Sequence, residues 1–111
     1  MIKILSFQIT LLLCVGSDLH AAEVDLNCMT RDLQRKREIS IHIDSTRQTL
    51  TMGATLATGV RFSSNEVYYE IGRSDGTYSH RLSRLTGVLT SFDPGGRVFI
   101  VFDCARTQQK F

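Results

Sequence analysis

Two cysteines near opposite ends of a chain built from short alternating runs set the strongest limit on this fold. Cys104 closes the apolar run Arg97-Val98-Phe99-Ile100-Val101-Phe102-Asp103-Cys104, and Cys28 follows the run Glu23-Val24-Asp25-Leu26-Asn27. Counting by twos along an extended chain, Val98, Ile100, Phe102 and Cys104 share one face. Val24, Leu26 and Cys28 share one face of another strand. If these two strands lie side by side, the thiols meet and their bond closes almost the whole domain. A disulfide between Cys28 and Cys104 is therefore expected, joining the first and last strands.

The third of the three cysteines, Cys14, falls in a different kind of segment. Met1-Ile2-Lys3 precedes an apolar run from Ile4 to Val15, and Gly16 to Ala22 is rich in small residues. A basic start, a short apolar core and a small-residue end describe a secretory signal peptide. The run is shorter than the roughly 20 residues that span a bilayer. Residues 1–22 are read as the signal peptide and residues 23–111 as one domain, with Ala21 and Ser17 as other candidate cut points. Leu11-Leu12-Leu13-Cys14 has the outline of a lipidation site, but that signal wants a small residue before the cysteine, and Leu13 is not small. Cys14 is expected to leave with the peptide. Export then places the remaining pair in an oxidising compartment, periplasmic or secreted, where disulfides persist.

The rest of the chain reads as short strands. Ile39, Ile41 and Ile43 alternate with Ser40, His42 and Asp44, and β-branched residues at every second position suit a half-buried pleated surface. Leu50 and Met52, then Thr58, Val60 and Phe62, then Val67, Tyr69 and Ile71, mark three further strands with inward faces. Gly72 to Gly76 is a loop with an Asp-Gly hairpin signal, and Tyr78, His80 and Leu82 share the face of the next strand. Thr86-Gly87 and Asp93-Pro94-Gly95-Gly96 are turns that bracket Val88 to Phe92. The expectation is an all-β domain: a small antiparallel meander of about eight strands, forming a closed or nearly closed barrel. An open, strongly curved sheet pinned at its ends by the bridge is the alternative.

Chemistry is sparse. His42 and His80 are the histidines beyond the signal segment, with no Gly-x-Ser-x-Gly elbow, His-Glu-x-x-His or Gly-rich phosphate loop to accompany them. His42 reads as a solvent-facing side chain, and His80 as a partly buried one bonded to a tyrosine or to backbone. A metal site would need a third ligand, such as Asp44 beside His42, at a spacing the chain does not offer. No enzyme, cofactor or metal is expected. A net charge of +2 is ordinary and leaves no nucleic-acid footprint. No apolar run after residue 22 is long enough for a transmembrane segment.

Two features suit a partner. Arg31, Arg35, Lys36 and Arg37 form the densest basic run, diluted by Asp32 and Glu38, and could meet an anionic surface or serve as a solvated hairpin tip. Tyr68, opposite in parity to Tyr69, would face solvent between Glu66 and Glu70. The inward faces are filled with Ile, Val, Phe and Leu, leaving little room for a ligand cavity. A pocket above about 300 Å³ would point instead to a small-ligand binder.

The ends of the chain carry a resemblance. Leu82-Ser83-Arg84-Leu85-Thr86-Gly87-Val88-Leu89, a glycine turn, a strand ending at Cys104, the terminal Lys110-Phe111, and a first strand ending in Asn27-Cys28 resemble a group of small exported proteobacterial proteins. The resemblance implies a periplasmic or secreted location and one disulfide, and brings no activity. Size, export, the β meander and the end-to-end bridge are also similar to periplasmic inhibitors of C-type lysozyme, whose Ser-Gly strand is echoed here only by Thr58-Gly59-Val60. The expectation is an exported, non-enzymatic envelope or secreted protein that binds a macromolecule, a lysozyme inhibitor being the sharpest form of it.

Overall fold

The computed structural model describes residues 23–107, so the segment expected to be a signal peptide, with Cys14, and the terminal Lys110-Phe111 lie outside the described residues. The described chain is all strand and turn: β1 (Glu23–Thr30), β2 (Glu38–Asp44), β3 (Thr49–Met52), β4 (Thr55–Leu56), β5 (Thr58–Phe62), β6 (Glu66–Arg73), β7 (Gly76–Ser83), β8 (Val88–Phe92) and β9 (Val98–Arg106). They form one nine-stranded antiparallel sheet in the order β4-β3-β2-β1-β9-β8-β7-β6-β5. The sheet curls into a nearly closed barrel. The ninth strand is β4, a two-residue strand after Gly53 that pairs with Thr51 and Met52 and that alternation cannot reveal at this length.

The pairing of β1 with β9 puts Cys28 directly opposite Cys104, and the two are bonded. The Cys104 N–H turns away from β1 and donates to the Gly87 carbonyl at 2.9 Å. The cysteines therefore occupy a pair that exchanges no backbone hydrogen bond, the kind in which side chains sit closest. Gly87 has φ +79°, and a Cβ there would stand 2.7 Å from the Cys104 carbonyl oxygen, so the turn before β8 needs glycine.

The break in the barrel falls elsewhere, between β4 and β5, where only Ala57 intervenes. Ala57 is buried, and its N–H donates to the Leu50 carbonyl, which extends the β3–β4 pairing by one residue. The bridge thus sits inside the hydrogen-bonded ladder and does not pin the sheet's outer ends.

Parity fills the interior. Ile41, Ile43, Leu50, Val67, Tyr69, Ile71, Leu82, Leu89 and Phe102 are buried around Cys28. Full burial of each large aliphatic or aromatic side chain is worth about 1.5–3 kcal/mol. One strand departs from its expected face. Ser91 pairs with Ile100 but Phe92 pairs with Val98, so β9 carries one extra residue there. Val98 is consequently 60% exposed, and the Phe99 ring meets Tyr78 edge-on at 5.3 Å. A β-bulge re-aims side chains in this way. The 72–76 segment is also tighter than a loop: Arg73 pairs with Gly76, leaving Ser74-Asp75 as the connection.

The bridge closes a 76-residue separation. Chain entropy assigns such a closure about 4.5 kcal/mol, and small secreted domains lose about 2–5 kcal/mol without theirs. The double variant Cys28→Ala/Cys104→Ala is expected to lose stability in that range by denaturant unfolding. Thiol titration of the wild-type domain, denatured and unreduced, should find these two cysteines blocked; two free thiols, or a linked dimer as the main species, would contradict the bridge.

Candidate functional site

Antiparallel connectivity gathers the β1–β2 loop, the β3–β4 turn, the β6–β7 hairpin and the β8–β9 turn at one end of the barrel. The basic run lies here. Thr30 anchors its loop at both sides: the Thr30 hydroxyl donates to the Arg35 carbonyl at 2.9 Å and accepts from the Arg37 N–H at 2.9 Å. The Thr30 N–H donates to the Arg37 carbonyl, and the Arg31 N–H donates to the Val101 carbonyl on β9. At the apex, Asp32 Oδ1 accepts from the Gln34 N–H, a side-chain turn that fixes the tip. Leu33 occupies that tip and is 80% exposed.

Arg31 is committed. Its guanidinium forks onto Asp103 with Nε–Oδ2 at 3.0 Å and Nη2–Oδ1 at 3.1 Å, and this contact raises its pKa further. The pair is exposed, so it orients the loop on β9 more than it stabilises the fold. The side chains of Arg35, Lys36 and Arg37 have no hydrogen-bond or ion-pair partner among the described residues. The nearby carboxylates hold local donors: Glu38 accepts from Asn27, Asp75 from the Tyr78 hydroxyl, and Asp93 from the Gly95 and Arg97 N–H groups.

Between this loop and β9 runs a groove of about 450 Å³, with Arg31, Asp32, Arg35 and Arg37 on one side and Val98 to Val101 on the other. Arg37, Phe99 and Ile100 also border a smaller hollow of about 100 Å³ that reaches His80 and Ser91 inside the barrel mouth. The opposite mouth holds an apolar hollow of about 300 Å³ lined by Val24, Leu26, Ile43, Phe62, Val67 and Leu82, with Arg84 and Arg106 at its edge. The two larger hollows are open to solvent.

The structure thus brings Arg31, Arg35 and Arg37 to one groove, with Lys36 on the same loop, and leaves Tyr68 apart. Tyr68 is half-buried on the outer face of β6, its ring 4.3 Å beneath the Arg61 guanidinium and its hydroxyl donating to Glu70 at 3.0 Å. Sequence reasoning missed Leu33, Val98 and Phe99. An apolar residue inside a polar turn was the available signal for Leu33. For β9 the signal was the unbroken apolar run, since a strand with one wet face should alternate.

The histidines have distinct surroundings. His42 stands outside the barrel with Nδ1 2.6 Å from Asp25 and Nε2 3.5 Å from Glu23. The hydrogen bond to Asp25, aided by the charges of Asp25, Glu23 and Asp44, raises its pKa. His80 is buried, stacks on Tyr69 at 4.7 Å and shares a 2.7 Å hydrogen bond through Nδ1 with Ser91. Its Nε2 has no partner among the described residues. Burial, with a smaller push from Arg73, lowers its pKa to about 4. Among the described residues, no group of three or more His, Cys, Asp or Glu side chains is arranged to hold a metal ion.

Comparison with protein-family models, with curated proteins and with solved structures finds no match to this chain.

The two histidines give opposite pH signatures. The unfolded chain protonates His80 near its ordinary value of 6.5, whereas the folded chain resists until about 4. Stability from the neutral ring is complete above 6.5 and is lost as pH falls toward 4. Linkage puts the loss at about 1.5 kcal/mol between pH 6.5 and about pH 5. His42, with its pKa raised, contributes fully below 6.5 and loses its contribution as pH rises through its folded value. Denaturant midpoints of wild type and His80→Gln across this range should separate the effects: the variant's slope between pH 6.5 and 5 flattens, and an unchanged slope would show His80 not to be the titrating group.

Proposed function

We propose that this is an exported, non-enzymatic protein of the periplasm or extracellular space that binds an anionic macromolecular partner at the end of its barrel. The observation that carries the reading is the groove, where the Arg35 and Arg37 side chains have no ion-pair partner among the described residues and the wall opposite is apolar. Uncommitted cations beside exposed apolar surface suit a partner with negative charge and some apolar area, because complementary charge steers encounter while desolvated apolar contacts hold it. The Cys28–Cys104 bridge fits an oxidising compartment. Among the described residues no helix is long and apolar enough to cross a membrane. A non-catalytic role fits the histidines, one engaged by surface carboxylates and the other stacked and bonded within the core.

The test is affinity capture from an envelope extract by wild-type protein and by Arg35→Glu/Lys36→Glu/Arg37→Glu. Wild type should retain a discrete partner, and the reversed variant should lose it by more than tenfold. Equal retention by both would exclude this loop as the contact. The inhibitor form of the reading is tested against C-type lysozymes, where no effect at micromolar protein removes it.

The apolar hollow of about 300 Å³ at the opposite mouth favours a second reading, a small apolar ligand, since ligand sites begin near that size. Native mass spectrometry of the purified protein distinguishes it. A bound small molecule lost on Val24→Glu, at a half-buried lining position, with the fold intact by circular dichroism, is the expected result; a bare protein mass would rule it out.

A further inference from the structure

We infer that the partner at this barrel end is the surface of an anionic phospholipid bilayer, with Leu33 as the residue that enters it. This rests on the functional reading above and names the partner's chemistry. Leu33 is the most exposed large apolar side chain in the described chain, at 80%, and it sits at the apex of a turn held by the Thr30 and Asp32 hydrogen bonds. A rigid tip needs little ordering when it docks. Arg35, Lys36 and Arg37 follow it after Gln34, and Val98 and Phe99, 60% and 49% exposed, stand across the groove.

This is the chemistry of an interfacial contact. Apolar side chains enter the boundary between headgroups and acyl chains, while Lys and Arg stay among the phosphates on flexible stems. A protein partner would need a fitted pocket for a convex leucine tip, whereas a bilayer needs none. Clustered Lys and Arg attract anionic leaflets. The carboxylates at this end, Asp32, Glu38, Asp75, Asp93 and Asp103, are each turned to a local donor. Arg35, Lys36 and Arg37 are not so engaged and reach further.

The test is sedimentation with vesicles of equal parts phosphatidylglycerol and phosphatidylcholine, against pure phosphatidylcholine. Wild type should partition to the anionic vesicles and release in high salt. Each cation near the surface contributes about fivefold, so Arg35→Gln/Lys36→Gln/Arg37→Gln should bind on the order of 100-fold more weakly. Leu33→Asp should bind about tenfold more weakly. These side chains make no contact that holds the fold, and matching thermal midpoints would verify that. Equal binding to neutral vesicles, or undiminished binding by Leu33→Asp, overturns the inference. Release by millimolar inorganic phosphate at constant ionic strength also overturns it, because a free anion would then satisfy the site. If vesicles are ignored while capture from extract still depends on the loop charges, the bilayer falls and the functional reading stands. If both fail, both fall.

Discussion

The pairing of the first strand with the last is the constraint on which the rest of this structure depends. A β meander has two free edges, and each exposes a row of unpaired N–H and C=O groups. Here β1 and β9 satisfy one another, and the Cys28–Cys104 bond makes that pairing covalent. Once these strands are joined, the free edges move to β4 and β5, which are separated in sequence by a single buried alanine. A two-residue edge strand offers little template for pairing with another chain. The register also fixes which faces turn inward. With Cys28 opposite Cys104, a slip of one residue would send Leu26 and Phe102 outward along with the sulfurs.

Much of this is legible from alternation. Ile41 and Ile43 of β2 and the inward sets of β6 and β7 are buried as the period of two requires, because one wet face forces apolar residues to alternate. Legibility fails where alternation fails. From Val98 to Phe102 every residue is apolar, so no periodicity marks the extra residue, and counting by twos puts Val98 on the wrong face. The hydrogen-bond register places the bulge at Phe99, and register depends on β8 as much as on β9. The short β4 is invisible for a related reason: its pairing depends on where Gly53 turns the chain, which a two-residue pattern cannot encode.

The candidate site divides in the same way. The run Arg31, Arg35, Lys36 and Arg37 is plain in the sequence, but its cations do not have equal freedom. Arg31 is tied to Asp103 across 72 residues, a contact no local pattern contains, and it docks the loop against β9. That docking lets the other cations line an apolar wall. Tyr68 illustrates the converse. Parity correctly turns it outward, but outward on a curved sheet still means neighbours, and Arg61 covers its ring.

Polar groups in the barrel interior bear on how this end is built. His80 and Ser91 bond to each other at 2.7 Å inside the barrel mouth, and Tyr69 stacks on the imidazole. An unpaired buried hydroxyl or imidazole costs about 1–3 kcal/mol, so each needs the other. Together they occupy the space where a larger apolar side chain would otherwise fill the mouth from within. The Phe99 ring, turned by the bulge, packs on Tyr78 at the rim of that hollow, and Arg73 lies 5.0 Å from the Tyr78 ring on the same rim. Tyr78 is buried there, while Phe99 stays 49% exposed. A barrel sealed from within could have presented only polar turns here. The rim thus leaves the exposed surface of Val98 and Phe99 beside the loop whose Arg35, Lys36 and Arg37 side chains are uncommitted.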